Sequence, residues 1–281
     1  MIPRLPDLVI EPVVRHGLSE DLGRAGDVTA RACVPEDARL TAVLAVRREG
    51  TVAGLDAARL AFALMDPQAR FEASAADGQR VQAGAVLARI EGLARAVLSA
   101  ERTALNLLGR LSGVATLTAA YVKAVDGTGA RIADTRKTTP GLRALEKHAV
   151  LCGGGLNHRF GLDDAILIKD NHVAVCGGVG PALERARAAA GHLMKIEVEV
   201  DSLAQLEEAL GFGPDVVMLD NFSLPDLRTA VRLAAGRTVL EASGGVTLET
   251  VSAIAETGVD VISVGALTHS APALDVGLDA A

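Results

Sequence analysis

MKIEVEVDSLAQLEEALGFGPDVVMLD (194–220) is written in two rhythms. Its first residues alternate, with Glu197 and Glu199 on one side and Val198 and Val200 on the other, as a strand does. SLAQLEEAL then has helical spacing, and DVVMLD (215–220) is a second strand. The same beat runs outward from there. ARIAD (130–134), AILIK (165–169), TVLEAS (238–243) and DVISVG (260–265) are further strand candidates. PALERARAAA, LPDLRTAVRLAA and LETVSAIAETG are helix-patterned segments between them. Repeated strand–helix units imply parallel strands with right-handed crossovers. About six units suit either a barrel or an open doubly wound sheet. The regular spacing of the last units and the lack of GxGxxG after the first strand favour a barrel.

The part before about residue 92 is different. RLTAVLAVRREG (39–50) alternates weakly, LDAARLAFALMD (55–66) has helical spacing, and FEASAADGQRVQAGAVLARIEG (71–92) reads as short strands joined by turns. That is an α+β layer. A long helical stretch follows from Leu93 to about Val125, with Val97, Leu98, Leu105, Leu108 and Leu111 at core spacing. Gly109 and Gly113 weaken its middle, and a break is expected there.

Bulk properties narrow the function. Apolar residues make up 49% of the 281, and 29 are glycine, as in a well-packed α/β protein with tight turns. A net charge of −7 argues against a general nucleic-acid or membrane-surface binder. Aromatics are 2% with no Trp, so no base-stacking platform is on offer. Cys33, Cys152 and Cys176 form no CxxC pair, and reduced thiols suit the cytoplasm. Arg4, Pro6, Asp7 and Glu11 interrupt any leader-like apolar core, and no run approaches the ~18 apolar residues of a membrane span.

Against that acidic background, DTRKTTPGLR (134–143) crowds three cations into one loop. Every strand candidate ends on polar or glycine residues: Asp134-Thr135-Arg136-Lys137, Lys169-Asp170-Asn171, Glu197 with Glu199, Asp220-Asn221, Ser243-Gly244-Gly245 and Gly265. In a parallel barrel these tips share one face, and that face holds the active site. Asp, Asn and Ser at such junctions also cap helices. Capping does not account for Arg136, Lys137 and Lys169, since cations are unfavourable at helix N-termini. If the Glu197/Glu199 face looks inward, both carboxylates need partners, and Lys169 and Lys195 are available cations. GGGLNHRFGLDD (153–164) adds His158 and Arg159 to the same anionic pocket. EASGGV (241–246), leading into a helix near Thr247, and SVGALTHS (263–270) would let backbone N–H groups approach a phosphate. The substrate should carry several negative charges, and the chemistry should be electrostatic with no covalent enzyme intermediate.

At this point ERTALNLLGRLSGVAT (101–116), DTRKTTPGLRALEKHAVLCGGGLNHRFGLDDAILIKDNH (134–172), IEVEVDS (196–202), MLDNF (218–222), EASGGV and SVGALTHS resemble the quinolinate phosphoribosyltransferase family. EDLGRAGDVT (20–29) matches its N-terminal signature, so the resemblance runs in order over nearly the whole chain. It implies a type II phosphoribosyltransferase-like α/β fold. An N-terminal α/β sandwich domain would span 1–112 and an open, about six-stranded α/β barrel 113–270. A C-terminal tail of about 271–281 would complete the first domain. It implies transfer of phosphoribosyl from phosphoribosyl pyrophosphate to quinolinate, giving nicotinate mononucleotide, CO2 and pyrophosphate in NAD biosynthesis.

By the same resemblance Arg136, His158, Arg159 and Lys169 would hold the two carboxylates with Thr135 nearby, and Arg102 would reach in from a neighbouring subunit. Lys137 would bind pyrophosphate. Glu199 and Asp220 would hold the ribose hydroxyls and help locate Mg2+ carried by the substrate. Ser243, Gly244, Gly245 and Gly265 would cradle the 5′-phosphate with His269 close by. Lys137, Lys169, Glu199 and Asp220 would be the catalytic set. The family resemblance further implies a homodimer or larger assembly that shares its active site across the interface. Gly109 departs from the larger polar residue, often Gln, expected at its position. Lys169-Asp170-Asn171-His172 favours this family over a molybdate-operon relative, and Arg159 with Lys169 favours it over nicotinate phosphoribosyltransferase. A non-catalytic nucleotide-binding regulator on the same scaffold could have lost Lys137, Glu199 or Asp220, and all three are present.

Overall fold

The computed structural model describes residues 2–281. Helix α1 (Asp7–Leu22) buries Ile10, Val14 and Leu18, one every four residues, as a single stripe. The stripe is hard to see in the sequence because Pro12 lies inside the helix and Leu8 and Val9 are exposed. Helix α2 (Val28–Cys33) is capped by Asp27, whose Oδ1 accepts the Ala30 N–H at 2.8 Å. Then come β1 (Arg39–Val46), β2 (Gly50–Thr51), α3 (Leu55–Met65), β3 (Arg70–Ala73), β4 (Arg80–Val81), β5 (Val86–Leu93) and α4 (Ala94–Ala124).

Beyond α4 the strand–helix rhythm takes over: β6 (Arg131–Ala133), α5 (Arg143–Cys152), β7 (Ile166–Ile168), α6 (Asp170–Cys176), α7 (Val179–Ala189), β8 (Ile196–Val200), α8 (Leu203–Phe212), β9 (Val216–Asp220), α9 (Leu224–Ala234), β10 (Val239–Ser243), α10 (Val251–Ala255), β11 (Val261–Ser263) and α11 (Ala266–His269). Strand β12 (Val276–Ala280) ends the chain.

The chain forms two compact units. The first comprises the residues up to Ala119, Thr138–Gly154 and Leu267–Ala281. Its main sheet is antiparallel, ordered β12-β1-β5-β3. The C-terminal residues thus supply an edge strand to the N-terminal sheet, with Leu44 opposite Leu278. Phe62 of α3 is fully buried and stacks at a tilt on Phe71 of β3, ring centres 6.3 Å apart.

The second unit, Ala120–Lys137 with Gly155–Ala266, holds six parallel strands in the order β6-β11-β10-β9-β8-β7. This is chain order around a ring, open between β6 and β7. An open six-stranded α/β barrel is therefore the architecture of this unit. Val198, Val217, Leu219 and Ile262 are fully buried, so the strands are covered on the face away from the functional residues.

The expected break in the long helix does not occur: α4 runs unbroken for 31 residues. Its glycines have another purpose. The backbone of the C-terminal segment lies directly on them, and the Gly109 carbonyl accepts the Leu274 N–H at 2.9 Å. A Cβ at Gly109 would stand 2.8 Å from the Leu274 carbonyl oxygen, and one at Gly113 would overlap the Pro272 carbonyl oxygen. Beside them Arg110 reaches the buried Glu146 at 2.9 Å and the carbonyls of Thr268 and Ala271. Glycine in α4 is thus a close-approach residue, and this contact replaces the larger side chain expected at position 109.

Ala normally improves a helix interior over Gly. Gly113→Ala should reverse that sign and cost about 1–3 kcal/mol by overpacking. Gly211→Ala, in α8 where an added Cβ meets nothing within 4 Å, should gain about 0.5–1 kcal/mol. Urea unfolding of both variants checks the pair. Equal effects would contradict the close-approach role.

Candidate active site

The carboxyl ends of the six parallel strands lie on one face of the second unit, and the charged residues collect there. β6 runs straight into Asp134-Thr135-Arg136-Lys137. Asp134 is fully buried, and its Oδ1 accepts the backbone N–H of His158 at 2.8 Å. The Leu156 N–H donates to the Ile132 carbonyl and the Asp134 N–H to the Leu156 carbonyl, so residues 155–158 extend the sheet edge beside β6. Thr135 Oγ1 accepts the Lys137 N–H at 3.0 Å and tightens the turn, with the Lys137 side chain exposed.

The loop after residue 158 is closed by Asp164, whose oxygens accept the N–H groups of Phe160 (2.6 Å) and Gly161 (2.9 Å). Burial opposes its ionisation, but these N–H groups outweigh burial and hold the carboxyl below its usual range. The loop brings Arg159 beside Arg136. Burial first, and then the Arg136 charge, pull the Arg159 guanidinium below its ordinary value. Nη1 of Arg159 donates to the Ala165 carbonyl at 3.2 Å. The Nε atoms of both arginines are buried without a hydrogen-bond partner among the described residues.

The alternation read in β8 holds. Glu199 meets Lys169, Nζ to Oε2 at 2.6 Å, with the carboxylate far more buried than the lysine. Glu197 instead meets His158, Nε2 to Oε2 at 3.1 Å, and the same ring lies 3.6 Å from Glu241 of β10. Lys195, the other cation considered for these acids, is turned to solvent and pairs with Asp215 at 2.5 Å. Residue 195 has the parity of Glu197 and Glu199 but lies before β8, at the wrong end of the sheet. Glu241 is a residue of the site that sequence reasoning did not single out, and Asp134 was named there only as part of a strand tip, without a role. Glu241 shares a strand face with Ser243, two residues on, and that alternation is the signal that could have found it.

Asp220 ends β9 opposite Ser243 at the end of β10. Asn221 donates its side-chain amide to Asp220 Oδ2 at 2.8 Å, and its backbone N–H to the Ser243 carbonyl at 2.9 Å. Gly244 and Gly245 have φ of 93° and 59°, a left-handed turn that only glycine adopts freely. A Cβ on Gly244 would run into the Asn221 side chain. The helix expected near Thr247 starts only at Val251, because Thr247–Thr250 form a side-chain-bonded turn. Gly265 directly precedes α11. Arg102 of α4 and His269 of α11 belong to the first unit; Arg102 is exposed, and His269 Nδ1 lies 2.6 Å from Ser270 Oγ.

Among the described residues, two groups have ligand atoms close enough to share a metal ion. One is His158, Glu197 and Glu241; the other is Asp77, His148 and Cys152 in the first unit. In the second, burial first and then the Asp77 charge push the Cys152 thiol up to about 12, so it is a poor ligand and a poor nucleophile. Asp77 is already committed to the N-terminus of α3, accepting the N–H groups of Gly54 (3.0 Å) and Leu55 (3.2 Å). A separate cleft of about 360 Å³ in the second unit is lined by four carboxylates, those of Asp170, Glu199, Asp201 and Asp220. Among the described residues no helix is long and apolar enough to cross a membrane.

Comparison with known proteins gives this arrangement a family. Residues 27–112 match the N-terminal domain of quinolinate phosphoribosyl transferase and residues 114–279 its C-terminal domain. A nicotinate-nucleotide pyrophosphorylase [carboxylating] of Mycobacterium leprae is 48% identical, over 95% of this chain and 95% of its own length. A probable enzyme of the same name from Bacillus subtilis is 44% identical over 97% and 93%. The solved nicotinate-nucleotide pyrophosphorylase of Francisella tularensis superposes with a TM-score of 0.95 at 40% identity, covering 100% of this chain and 99% of its own. With both domains matched in order and the strand tips carrying this charge pattern, the chain belongs to the quinolinate phosphoribosyltransferase family.

Proposed function

We propose that the strand tips of the second unit bind quinolinate and phosphoribosyl pyrophosphate and convert them to nicotinate mononucleotide, CO2 and pyrophosphate. The observation that carries this reading is the pair Arg136 and Arg159. Two guanidiniums are brought together, partly buried, with an unpartnered Nε on each. Such a pair is unfavourable alone and favourable around a rigid dianion, and two ring carboxylates in fixed relation suit the planar fork of arginine.

Lys169 completes the quinolinate side with Thr135 nearby, its Nζ held in place by Glu199. The ring nitrogen is the nucleophile, so the chain needs none of its own. It attacks the anomeric carbon as the bond to pyrophosphate breaks, through an oxocarbenium-like state that Glu199 and Asp220 stabilise. Lys137 takes the leaving pyrophosphate. Ser243, Gly244, Gly245 and Gly265 hold the 5′-phosphate by their backbone. Ribosylation makes the ring nitrogen cationic. The bond from C2 to its carboxylate then breaks, its electron pair stays on C2 next to that nitrogen, CO2 leaves, and C2 takes up a proton.

The cleft of four carboxylates offers only oxygen donors, which suits a hard cation. Mg2+ carried in by phosphoribosyl pyrophosphate would be located by Glu199 and Asp220, and would neutralise charge on the pyrophosphate. A homodimer or larger assembly would let Arg102 of one copy serve the site of another. Three unpaired thiols fit a cytoplasmic enzyme.

Arg136→Ala should lower kcat/KM for quinolinate by roughly 10²–10³-fold, the loss expected for half of a charge-paired contact, with little change in folding. Steady-state assay and thermal unfolding of the same preparation check this. Full activity would contradict the pocket. Excess chelator should stop turnover and added Mg2+ restore it, without a change in the circular dichroism of the folded chain.

A further inference from the structure

Next to Arg159, two carboxylates that the substrate reading does not use face one imidazole, and a third holds the backbone of the same histidine. Asp134 accepts the His158 backbone N–H, and Nε2 of its ring faces Glu197 at 3.1 Å and Glu241 at 3.6 Å. Nδ1 accepts the backbone N–H of the next residue, Arg159, at 2.7 Å. A ring nitrogen that accepts a hydrogen bond carries no proton, so the ring proton sits on Nε2 and is donated to Glu197. Both nitrogens are therefore engaged within the chain, and one of them is bonded to the backbone of Arg159. The side chains responsible are 10% (Glu197) and 6% (Glu241) exposed, and Asp134 is fully buried. Nothing so costly is needed to close a loop that Asp164 already closes.

We propose that Glu241 is a positioning residue for the quinolinate half of the reaction: with Glu197 it seats His158, and His158 fixes the backbone that presents Arg159. This rests on the assignment of Arg159 to quinolinate.

Two glutamates so close together in so dry a place oppose each other's ionisation, and the geometry favours a proton kept between them. Glu241 carries it. Burial first, then the Glu197 charge, push it up to about 7 even against a charged His158 ring and the Ser263 hydroxyl of β11, with Asp134 adding to the rise, and a ring with a single proton opposes it less. A neutral amide should replace it well, and an apolar side chain should not.

Glu241→Gln should keep KM for both substrates within about twofold of the parent at neutral pH. Glu241→Leu should raise KM for quinolinate at least tenfold and leave KM for phosphoribosyl pyrophosphate within about twofold. An unchanged quinolinate KM in the Leu variant, or an equal rise for both substrates, would overturn the proposal. If the Leu variant does not fold, nitrogen NMR of the histidine-labelled parent decides, with His158→Gln used to assign the signal. The ring should be protonated at Nε2 in the free protein and stay so with saturating quinolinate. A ring protonated at Nδ1 in the free protein overturns it. A parent enzyme that releases no CO2 from quinolinate would count against the functional reading instead, and the ring state of the free protein would still test the seating of His158.

Stability gives a separate readout. In the unfolded chain Glu241 ionises near its ordinary 4.5, and in the native chain near 7. The native state holds the extra proton between those values, so stability falls as pH rises through that window. Glu241→Gln lacks this loss, and its advantage over the parent should grow from pH 4.5 to 7 and then level. A constant difference across the window would overturn the pairing of Glu197 with Glu241.

Discussion

Like charges held together are the constraint on which the site depends. Arg136 stands beside Arg159, half-buried, and Glu197 beside Glu241 in surroundings with little water. Two unit charges 4 Å apart in a partly buried place repel by on the order of 4 kcal/mol. A chain keeps such pairs only where the backbone is fixed independently of them. Here parallel strands fix it, since their ladders set the position of each tip without help from the side chains. The acid pair is relieved within the protein by a proton and an imidazole. The guanidinium pair is left for the substrate.

This division of labour explains why the chain needs no nucleophile and no activated thiol. Quinolinate supplies the attacking nitrogen, phosphoribosyl pyrophosphate the leaving group, and the new pyridinium the sink for decarboxylation. What remains for the protein is placement and charge, and a ring of strand ends does both. The Lys169–Glu199 ion pair has the same logic: a half-exposed cation is held by a largely buried acid, so it is aimed before any ligand arrives.

Much of this was legible from residue order, because it depends on short periods. Alternation in 196–200 placed Glu197 and Glu199 on one face, and the repeat of strand and helix gave the parallel sheet. What failed depends on distant partners. Gly109 and Gly113 read as weak points in a helix, since nothing in 101–116 announces that residues 272–274 will lie on them. Lys195 read as a partner for the inward acids, although a strand's entry and exit ends differ and it stands at the entry. Glu241 was passed over because one acid in an apolar strand has no meaning until Glu197, two strands away, is brought close to it. Helix α1 was hidden by a proline and by exposed apolar residues at its start.

The most direct test is release of labelled CO2 from carboxyl-labelled quinolinate by the unmodified protein. It should be run with phosphoribosyl pyrophosphate and Mg2+ together and then with each left out. The account predicts release only when all components are present, with one nicotinate mononucleotide formed per CO2. Folded protein that releases none, or that releases CO2 without phosphoribosyl pyrophosphate, would contradict it.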